Sequence, residues 1–193
     1  MIYIIRHGQT ELNSSKALQG RSDLPLNDNG IKQAAETAKK LNDIGIRFDH
    51  VFSSPLIRAR QTAQIIAPYA EPVIDDRLIE MDYGKYEGIS FDEFPPEILE
   101  FFSDFQNNPA PETMEQLPCV VKRLGEFIED IKDLRGNILI STHAIAMKGA
   151  LEYLTPESNG SYWSKYIGNC AVYRADNSEA GIAVPEEMIL NKE

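Results

Sequence analysis

Three apolar segments of this chain each lead into side chains that are suited to binding an anion. Arg6 and His7 follow the first segment, Arg58 comes soon after the second, and His143 ends the third. Guanidinium groups pair with phosphate oxygens, and an imidazole can serve as a ligand, a proton carrier or a nucleophile. These residue types therefore indicate a site for a small anion such as a phosphate group.

The side chains meet only if their segments are neighbouring strands of one sheet. Short β-branched runs bounded by polar residues are typical of buried strands, and residues 2–5, 49–54 and 137–143 fit this description. In a parallel sheet the carboxyl ends of the strands share one edge, where ligands bind in open α/β sheets. His50 stands at the start of its strand, so we expect it at the opposite edge and assign it no role.

Amphipathic segments between the strands predict helices that cover the sheet. The first follows the cap Asn27, the second starts with Ser54 as its cap and Pro55 as its first residue, the third follows a capping box at residues 113–116, and the fourth spans residues 144–153. The predicted apolar faces are Ile31, Ala34, Ala35, Ala38 and Leu41 in the first helix and Val121, Leu124, Ile128, Ile131 and Leu134 in the third.

The remaining segments complete the expected fold. Residues 89–118 contain five prolines and several aromatic residues, which favours a small inserted helical lid. Alternation of strands and helices predicts an α/β protein with three layers, a mainly parallel central sheet flanked by helices, and one domain over residues 1–193. Further strands are expected at residues 72–74, 171–173 and 182–184, with loops at residues 11–27 and 75–88.

Composition excludes several classes of partner. The chain carries 19 Lys and Arg residues against 30 Asp and Glu residues, a net charge of -11, so we expect neither nucleic acid nor a membrane as partner. Cys119 and Cys170 form no metal-binding motif, which is typical of a reducing compartment. The apolar run before Arg6 is too short for a signal peptide or a membrane span. These features predict a cytoplasmic protein and leave its oligomeric state open.

The histidines have two other interpretations at this level. A lone histidine is often a structural residue, and His7 with His143 is a candidate pair of zinc ligands. No His-x-His pair or cysteine pair accompanies them, a structural zinc site needs about four ligands, and the adjacent arginines would repel a metal ion. We therefore expect no metal ion and no other cofactor.

Several ordered motifs resemble those of the histidine phosphatase superfamily, which includes the cofactor-dependent phosphoglycerate mutases. The resemblance covers residues 1–143 and is far more specific than one short motif. The matching segments are Arg6-His7-Gly8-Gln9-Thr10-Glu11-Leu12-Asn13, Gln19-Gly20, Asn29-Gly30-x-x-Gln33-Ala34, Ser53-Ser54-Pro55-Leu56-x-Arg58-Ala59-x-Gln61-Thr62-Ala63, Leu78-Ile79-Glu80-x-x-x-Gly84-x-x-Glu87-Gly88 and Ser141-x-His143.

The resemblance implies a role for each of five residues. His7 is the nucleophile that takes up the phosphoryl group as phosphohistidine, and Arg6 and Arg58 bind the phosphate. His143 stabilises the charge of the phosphoryl group in transfer, and Glu80 is the general acid. The positive charges of the two arginines should also lower the pKa of His7. Substrate contacts are expected from Gln9, Thr10, Asn13, Gln19, Gly20 and Ala144.

The implied activity is hydrolysis of a small phosphomonoester without a metal ion. A mutase must exclude water from its phosphohistidine, and only about 30 residues are available here for a lid. Phosphoglycerate mutase activity is the second hypothesis, and a catalytically silent phosphate-binding protein is the third. Two departures from the family pattern concern the substrate: Ala144 replaces a glycine, and Val120 replaces an arginine that often follows the lid.

Overall fold

Six strands form the central sheet within residues 1–178 and 181–190, which the computed structural model describes. The strands of the chain are β1 (Ile2–Arg6), β2 (His50–Ser53), β3 (Val73–Ile74), β4 (Ile138–Thr142), β5 (Val172–Ala175), β6 (Asn177–Ser178), β7 (Gly181–Ile182) and β8 (Glu186–Glu187). The order in the sheet is β3-β2-β4-β1-β5-β8, and β6 pairs with β7 in a separate ribbon. Strands β1 to β4 run parallel, whereas β5 and β8 are antiparallel to their neighbours. The mainly parallel sheet confirms the predicted fold class.

The three central strands end together. Arg6 of β1 pairs with Thr142 of β4, and Ser53 of β2 pairs with Ser141 of β4. Residues that follow these strands therefore emerge at one edge of the sheet, as predicted. His50 begins β2 and lies at the opposite edge.

Helices cover both faces of the sheet and give the three predicted layers. They are α1 (Glu11–Ser14), α2 (Asp28–Asp43), α3 (Ile57–Ile66), α4 (Pro96–Ser103), α5 (Leu117–Ile131) and α6 (Ala144–Leu154). Side chains of a strand alternate between faces. Tyr3 and Ile5 accordingly join the apolar cluster with α2 and α3, while Ile2 and Ile4 join the cluster with α5 and α6. No helix of the described ranges has both the length and the apolar content to cross a membrane.

The buried face of α2 differs from the prediction. Ala34 and Leu41 are buried as expected, but Ile31 is 46% exposed and Ala35 is also exposed. Thr37 takes a buried position instead. Residues 34, 37 and 41 are three and four positions apart and share the buried face of the helix. Residues 31 and 35 each follow a residue of that face's spacing by one position, so their side chains are turned away from the core.

Two predicted helix caps are wrong. Helix α3 has Leu56 as its N-cap rather than Ser54, because the Ser54 N–H still donates to the Ser141 carbonyl at 3.0 Å and extends the strand. Helix α5 starts without a side-chain cap, since the Gln116 amide donates to the Ala110 carbonyl at 2.9 Å. At the first position the strand pairing continues past Ser53, and at the second the Gln116 side chain is bound to a carbonyl six residues earlier.

Two smaller predictions also need correction. The expected loop at residues 11–27 contains α1, which Thr10 caps by accepting from the Asn13 N–H at 3.3 Å. The strand expected at residues 182–184 reaches only Ile182, the end of β7.

Residues 89–118 form a lobe that contains one complete α-helix, α4, beside a 3-10 turn at Phe91–Glu93 and the first two residues of α5. Phe102 of α4 stacks on Phe94 with 5.5 Å between ring centroids and packs edge-on against Phe105 at 5.2 Å. Aromatic packing, rather than regular secondary structure, therefore holds this lobe together.

Two glycines allow the end of β1 to pack closely against the start of α2. A Cβ atom on Gly8 would lie 2.5 Å from the Gly30 carbonyl oxygen, and a Cβ atom on Gly30 would overlap the Gln9 carbonyl. Asn27 fixes the same turn of α2 because its side chain accepts from the Gly30 N–H at 2.8 Å. The backbone on either side of Gly8 is thereby held in one place.

We expect the substitution Gly30→Ala to lower the free energy of unfolding by about 1–3 kcal/mol, because the added methyl group would push the Gln9 backbone away. Urea denaturation measures this change. Gly168→Ala is the matched control, since its added Cβ would meet no atom closer than 3.8 Å. Equal stability of the two variants would contradict the steric argument.

Candidate active site

The carboxyl edge of the sheet borders a cavity of about 570 Å³. On a chain with a net charge of -11, a local excess of positive charge marks a place where an anion is attracted. Among the described residues that line this cavity, Arg6, Lys16, Arg58, Lys148 and Lys165 have basic side chains and Glu80 has an acidic one.

Both ring nitrogens of His7 have a partner that fixes where the proton lies. Nδ1 lies 2.6 Å from the Gly8 carbonyl oxygen, which can only accept, so Nδ1 carries the hydrogen. Nε2 accepts a hydrogen bond from Nε of Arg58 at 3.2 Å and therefore carries the lone pair. This tautomer has its nucleophilic nitrogen, Nε2, beside a cation.

The surroundings of His7 keep its ring uncharged. Burial lowers the pKa of His7 well below its usual value of 6.5, and the positive charges of Arg58 and Arg6 lower it further. The bond to the Gly8 carbonyl opposes these effects without outweighing them. His7 is consequently neutral at pH 7, as the sequence predicted from its arginine neighbours.

Backbone oxygens hold Arg58 against His7. Nη1 of Arg58 donates to the Ser22 carbonyl at 2.8 Å, and Nη2 donates to the Gly20 carbonyl at 2.6 Å. The Glu87 carboxylate in turn accepts from the backbone N–H of Ser22 at 2.8 Å and from its hydroxyl at 2.6 Å. Burial lowers the pKa of Arg58 to about 10, so the group stays charged at neutral pH.

His143 lies fully buried beside His7, with 5.1 Å between the two ring centroids. The Ser54 hydroxyl oxygen accepts from the Leu56 N–H at 3.3 Å and lies 2.7 Å from His143 Nε2. The Ser54 hydroxyl can therefore donate its hydrogen bond to Nε2. With Nε2 as the acceptor, the ring proton of His143 lies on Nδ1. Burial, with the charge of Arg58, lowers the pKa of His143 well below 6.5, so the ring is a neutral donor and not an imidazolium.

Glu80 is bound at the start of α6. Its Oε1 atom accepts from the backbone N–H groups of Met81 at 2.9 Å and Ala146 at 3.0 Å, and its Oε2 atom accepts from Ile145 at 3.3 Å. The helix start thus orients an acidic side chain of the protein itself. Oε2 has the fewer bonds of the two oxygens and is the better placed to exchange a proton with a ligand.

Three buried nitrogen atoms of this region have no hydrogen-bond partner within the described residues: Arg6 Nε, Gln19 Nε2 and His143 Nδ1. Gln19 is held by its other end, because its Oε1 atom accepts from the Thr10 hydroxyl at 2.7 Å. Arg6 is held through Nη1, which donates to the Ile167 carbonyl at 2.6 Å. A buried donor without an acceptor costs about 1–3 kcal/mol, so an anion that accepts from these groups is favoured here.

Four of the six residues expected to contact substrate line the cavity, namely Asn13, Gln19, Gly20 and Ala144. Gln9 and Thr10 do not, which corrects the prediction. The Gln9 side chain accepts from the amides of Asn27 and Asn29, both at 3.1 Å, and so points toward α2. Thr10 is fully buried as the cap of α1 and as the partner of Gln19.

The two departures from the family pattern have separate structural consequences. Ala144 is the first residue of α6 and has no positive φ, so its methyl group causes no strain and simply adds to the cavity wall. Val120 is fully buried against Gly149 of α6. An arginine one turn later, Arg123, binds Glu115 through Nε at 2.8 Å and does not line the cavity.

Sequence reasoning missed several residues of the cavity, among them Lys148 and Asn169. Lys148 is buried in the middle of α6, and a helical lysine with apolar neighbours on both sides is a signal that could have identified it. Asn169 lies in an irregular segment, where its amide donates to the His7 carbonyl at 3.0 Å and to Asn13 Oδ1 at 3.2 Å. No pattern in the sequence predicts that contact, because it depends on how the chain returns to β5.

The described ranges contain no group of three or more His, Cys, Asp or Glu side chains arranged to hold a metal ion.

Comparison with known proteins fits the geometry of the site. The model of the histidine phosphatase superfamily (branch 1) matches residues 2–186. The chain belongs to this superfamily.

Relatives within the superfamily carry the names of phosphatases and mutases. The chain is 30% identical over 177 residues to a Hydrogenobacter thermophilus protein named "Putative phosphoserine phosphatase 2", covering 89% of this chain and 86% of the relative. It is 29% identical over 187 residues to an Escherichia coli protein named "Probable phosphoglycerate mutase", covering 93% of this chain and 86% of that protein.

Solved structures of the superfamily share the fold. A phosphoserine phosphatase of Entamoeba histolytica in complex with phosphoserine superposes with a TM-score of 0.85 at 26% identity, covering 98% of this chain and 96% of its own. The phosphatase of the same organism in complex with 3-phosphoglyceric acid has a TM-score of 0.81 at 27% identity, covering 100% and 96%.

The charge of Arg58 should be measurable in the titration of His7. We expect the His7 ring to stay neutral to a pH well below 6.5, and Arg58→Met to raise its pKa by roughly 1 to 3 pH units because a like charge is removed. Imidazole nitrogen NMR measures both values, with His50→Gln to simplify assignment.

Arg60→Met is the matched control, since Arg60 is an exposed residue of the same helix. The argument fails if the two arginine variants shift the His7 titration equally.

Proposed function

We propose that this protein is a phosphomonoesterase that hydrolyses a small phosphorylated metabolite through a phosphohistidine on Nε2 of His7. The observation that carries the proposal is the neutral imidazole whose lone pair lies 3.2 Å from the Arg58 guanidinium in a cationic cavity. A structural histidine gains nothing from a buried cation at its lone pair beyond one hydrogen bond. A nucleophile that attacks an anion needs such a cation.

In the first step Nε2 of His7 forms a bond to phosphorus while the ester P–O bond breaks. Arg6 and Arg58 bind the non-bridging oxygens, and the Nδ1 hydrogen of His143 reaches the phosphoryl group once it lies on His7. The departing alkoxide takes a proton from the Glu80 carboxyl, carried on Oε2. The alcohol leaves, and the gain of positive charge on the His7 ring is balanced by the phosphoryl oxygens.

In the second step water attacks phosphorus and the P–N bond breaks. Glu80, now a carboxylate, accepts a proton from that water and returns to its starting form. Inorganic phosphate leaves, and His7 again has its lone pair on Nε2. The balanced reaction consumes one water and requires no metal ion and no other cofactor.

Mutase activity is the second candidate, supported by the similarity to the probable phosphoglycerate mutase. The choice depends on how well water is excluded from the phosphohistidine. Residues 89–118 contribute Phe91, Phe102 and Phe105 to the cavity wall but contain only one complete α-helix, α4. We favour hydrolysis because this lobe is short, and we propose that it acts as a lid.

Trapping the intermediate tests the chemistry. We expect a brief reaction with a labelled phosphomonoester, quenched in base, to leave phosphate on the wild-type protein in a form that acid releases. His7→Ala should carry no label and should lose at least about 10³-fold in kcat/KM, because the nucleophile is absent. His50→Ala is the matched histidine control. Label that survives acid, or activity that survives His7→Ala, would contradict the proposal.

Substrate assays separate the three hypotheses. O-phosphoserine, 3-phosphoglycerate and sugar phosphates are the first esters to test, with and without EDTA, and we expect phosphate release that the chelator leaves unchanged. Faster conversion of 3-phosphoglycerate to 2-phosphoglycerate, primed by the bisphosphate, would establish the mutase instead. Phosphate binding with neither reaction would establish a silent protein.

A further inference from the structure

Lys148 is a buried ammonium group that the proposed mechanism does not use. It lies on α6, is 9% exposed, and lines the same cavity as His7 and Arg6. Its Nζ atom donates to the Trp163 carbonyl at 2.7 Å and lies 5.4 Å from the centre of the Phe105 ring. An ammonium has three N–H groups, and within the described ranges Trp163 is its one hydrogen-bond acceptor.

The other cavity lysine near α6 has a different environment. Lys165 is 43% exposed and lies 3.5 Å from the Glu187 carboxylate, which satisfies its charge. No carboxylate of the described residues lies within ion-pair distance of Lys148. Burial lowers the pKa of Lys148 to about 8, the nearby negative charge of Glu80 opposes this effect, and the group remains mostly charged at neutral pH. A buried cation without an anionic partner is costly, which favours a ligand that supplies one.

The backbone of Lys148 lies farther from the carboxyl edge of the sheet than the first residue of α6. Ala144 begins α6 at the carboxyl edge of the sheet, and Lys148 is four residues later, about 6 Å along the helix axis. The proposed mechanism places the phosphoryl group at His7 among Arg6, Arg58 and His143, whereas the ammonium of Lys148 is anchored at the Trp163 carbonyl. A ligand that contacts Lys148 as well can carry a second anionic group beside its phosphate.

We propose that Lys148 is the specificity-determining residue for substrate and binds the carboxylate of a small phosphorylated carboxylic acid. This inference rests on the proposed function for the placement of the phosphate at His7. A carboxylate fits the single charge and the remaining N–H groups of one lysine. Phe105 and the Trp163 carbonyl hold the ammonium in position to meet it.

Binding measurements test the inference without turnover. In the His7→Ala background, calorimetry compares D-3-phosphoglycerate with glycerol 3-phosphate, which has a hydroxymethyl group in place of the carboxylate. We expect the carboxylate ligand to bind about tenfold to a hundredfold more tightly, as one charge-assisted hydrogen bond allows. Adding Lys148→Met should abolish most of that ratio, and Lys148→Arg should retain part of it.

Lys39→Met on α2 is the control, because this exposed lysine pairs with Asp43 and does not line the cavity. A ratio that Lys148→Met leaves intact, or equal weakening of both ligands, would overturn the assignment. Wild-type hydrolysis is scored separately. A protein that binds selectively through Lys148 but hydrolyses nothing refutes the proposed function alone, and hydrolysis with selectivity independent of Lys148 refutes the inference alone.

Discussion

A histidine and an arginine are buried in contact with each other, and the rest of the structure depends on this arrangement. Arg58 is 1% exposed and His7 is 3% exposed, and their facing nitrogens are 3.2 Å apart. A buried guanidinium must have its hydrogens accepted. The carbonyls of Gly20 and Ser22 accept these hydrogens. The Glu87 carboxylate fixes the loop that contains both residues by accepting from the Ser22 N–H. The segments from β1, α3 and two loops must therefore assemble together for the site to exist at all.

The same arrangement explains why a strongly acidic protein has a cationic cavity. Parallel strands bring Arg6 and His143 to one edge, and the start of α6 there already holds the carboxylate of Glu80. Because Glu80 occupies those amides, positive charge for a ligand comes from side chains rather than from the helix end. Buried donors without acceptors, such as Nε2 of Gln19, then favour particular positions for the oxygen atoms of an anion in the cavity.

Sequence alone predicted the sheet and the edge at which Arg6, His7, Arg58 and His143 meet, because strand periodicity and chain order determine which residues share an edge. Glu80 was expected only from the resemblance to the superfamily, and the catalytic roles of all five residues stay predictions. Sequence alone failed where a tertiary contact replaced a local one. Ser54 has the pattern of a helix cap, yet its hydroxyl contacts His143 at 2.7 Å and its N–H continues the strand. Gln9 belongs to the nucleophile motif but binds α2. Lys148 and Asn169 lie outside the motifs, and their positions depend on the packing of α6 and on the return of the chain to β5.

The position of the proton on His7 has a consequence for how such a site can change. That proton is directed by a main-chain oxygen, the carbonyl of Gly8, and no point substitution deletes a carbonyl. Gly8 is in turn wedged against the Gly30 backbone and donates its own N–H to the Thr62 hydroxyl at 3.1 Å. Substitutions of the side chains that surround a ligand therefore do not change which ring nitrogen of His7 reacts. The walls of the cavity are free to diversify toward new esters while the reactive atom stays the same.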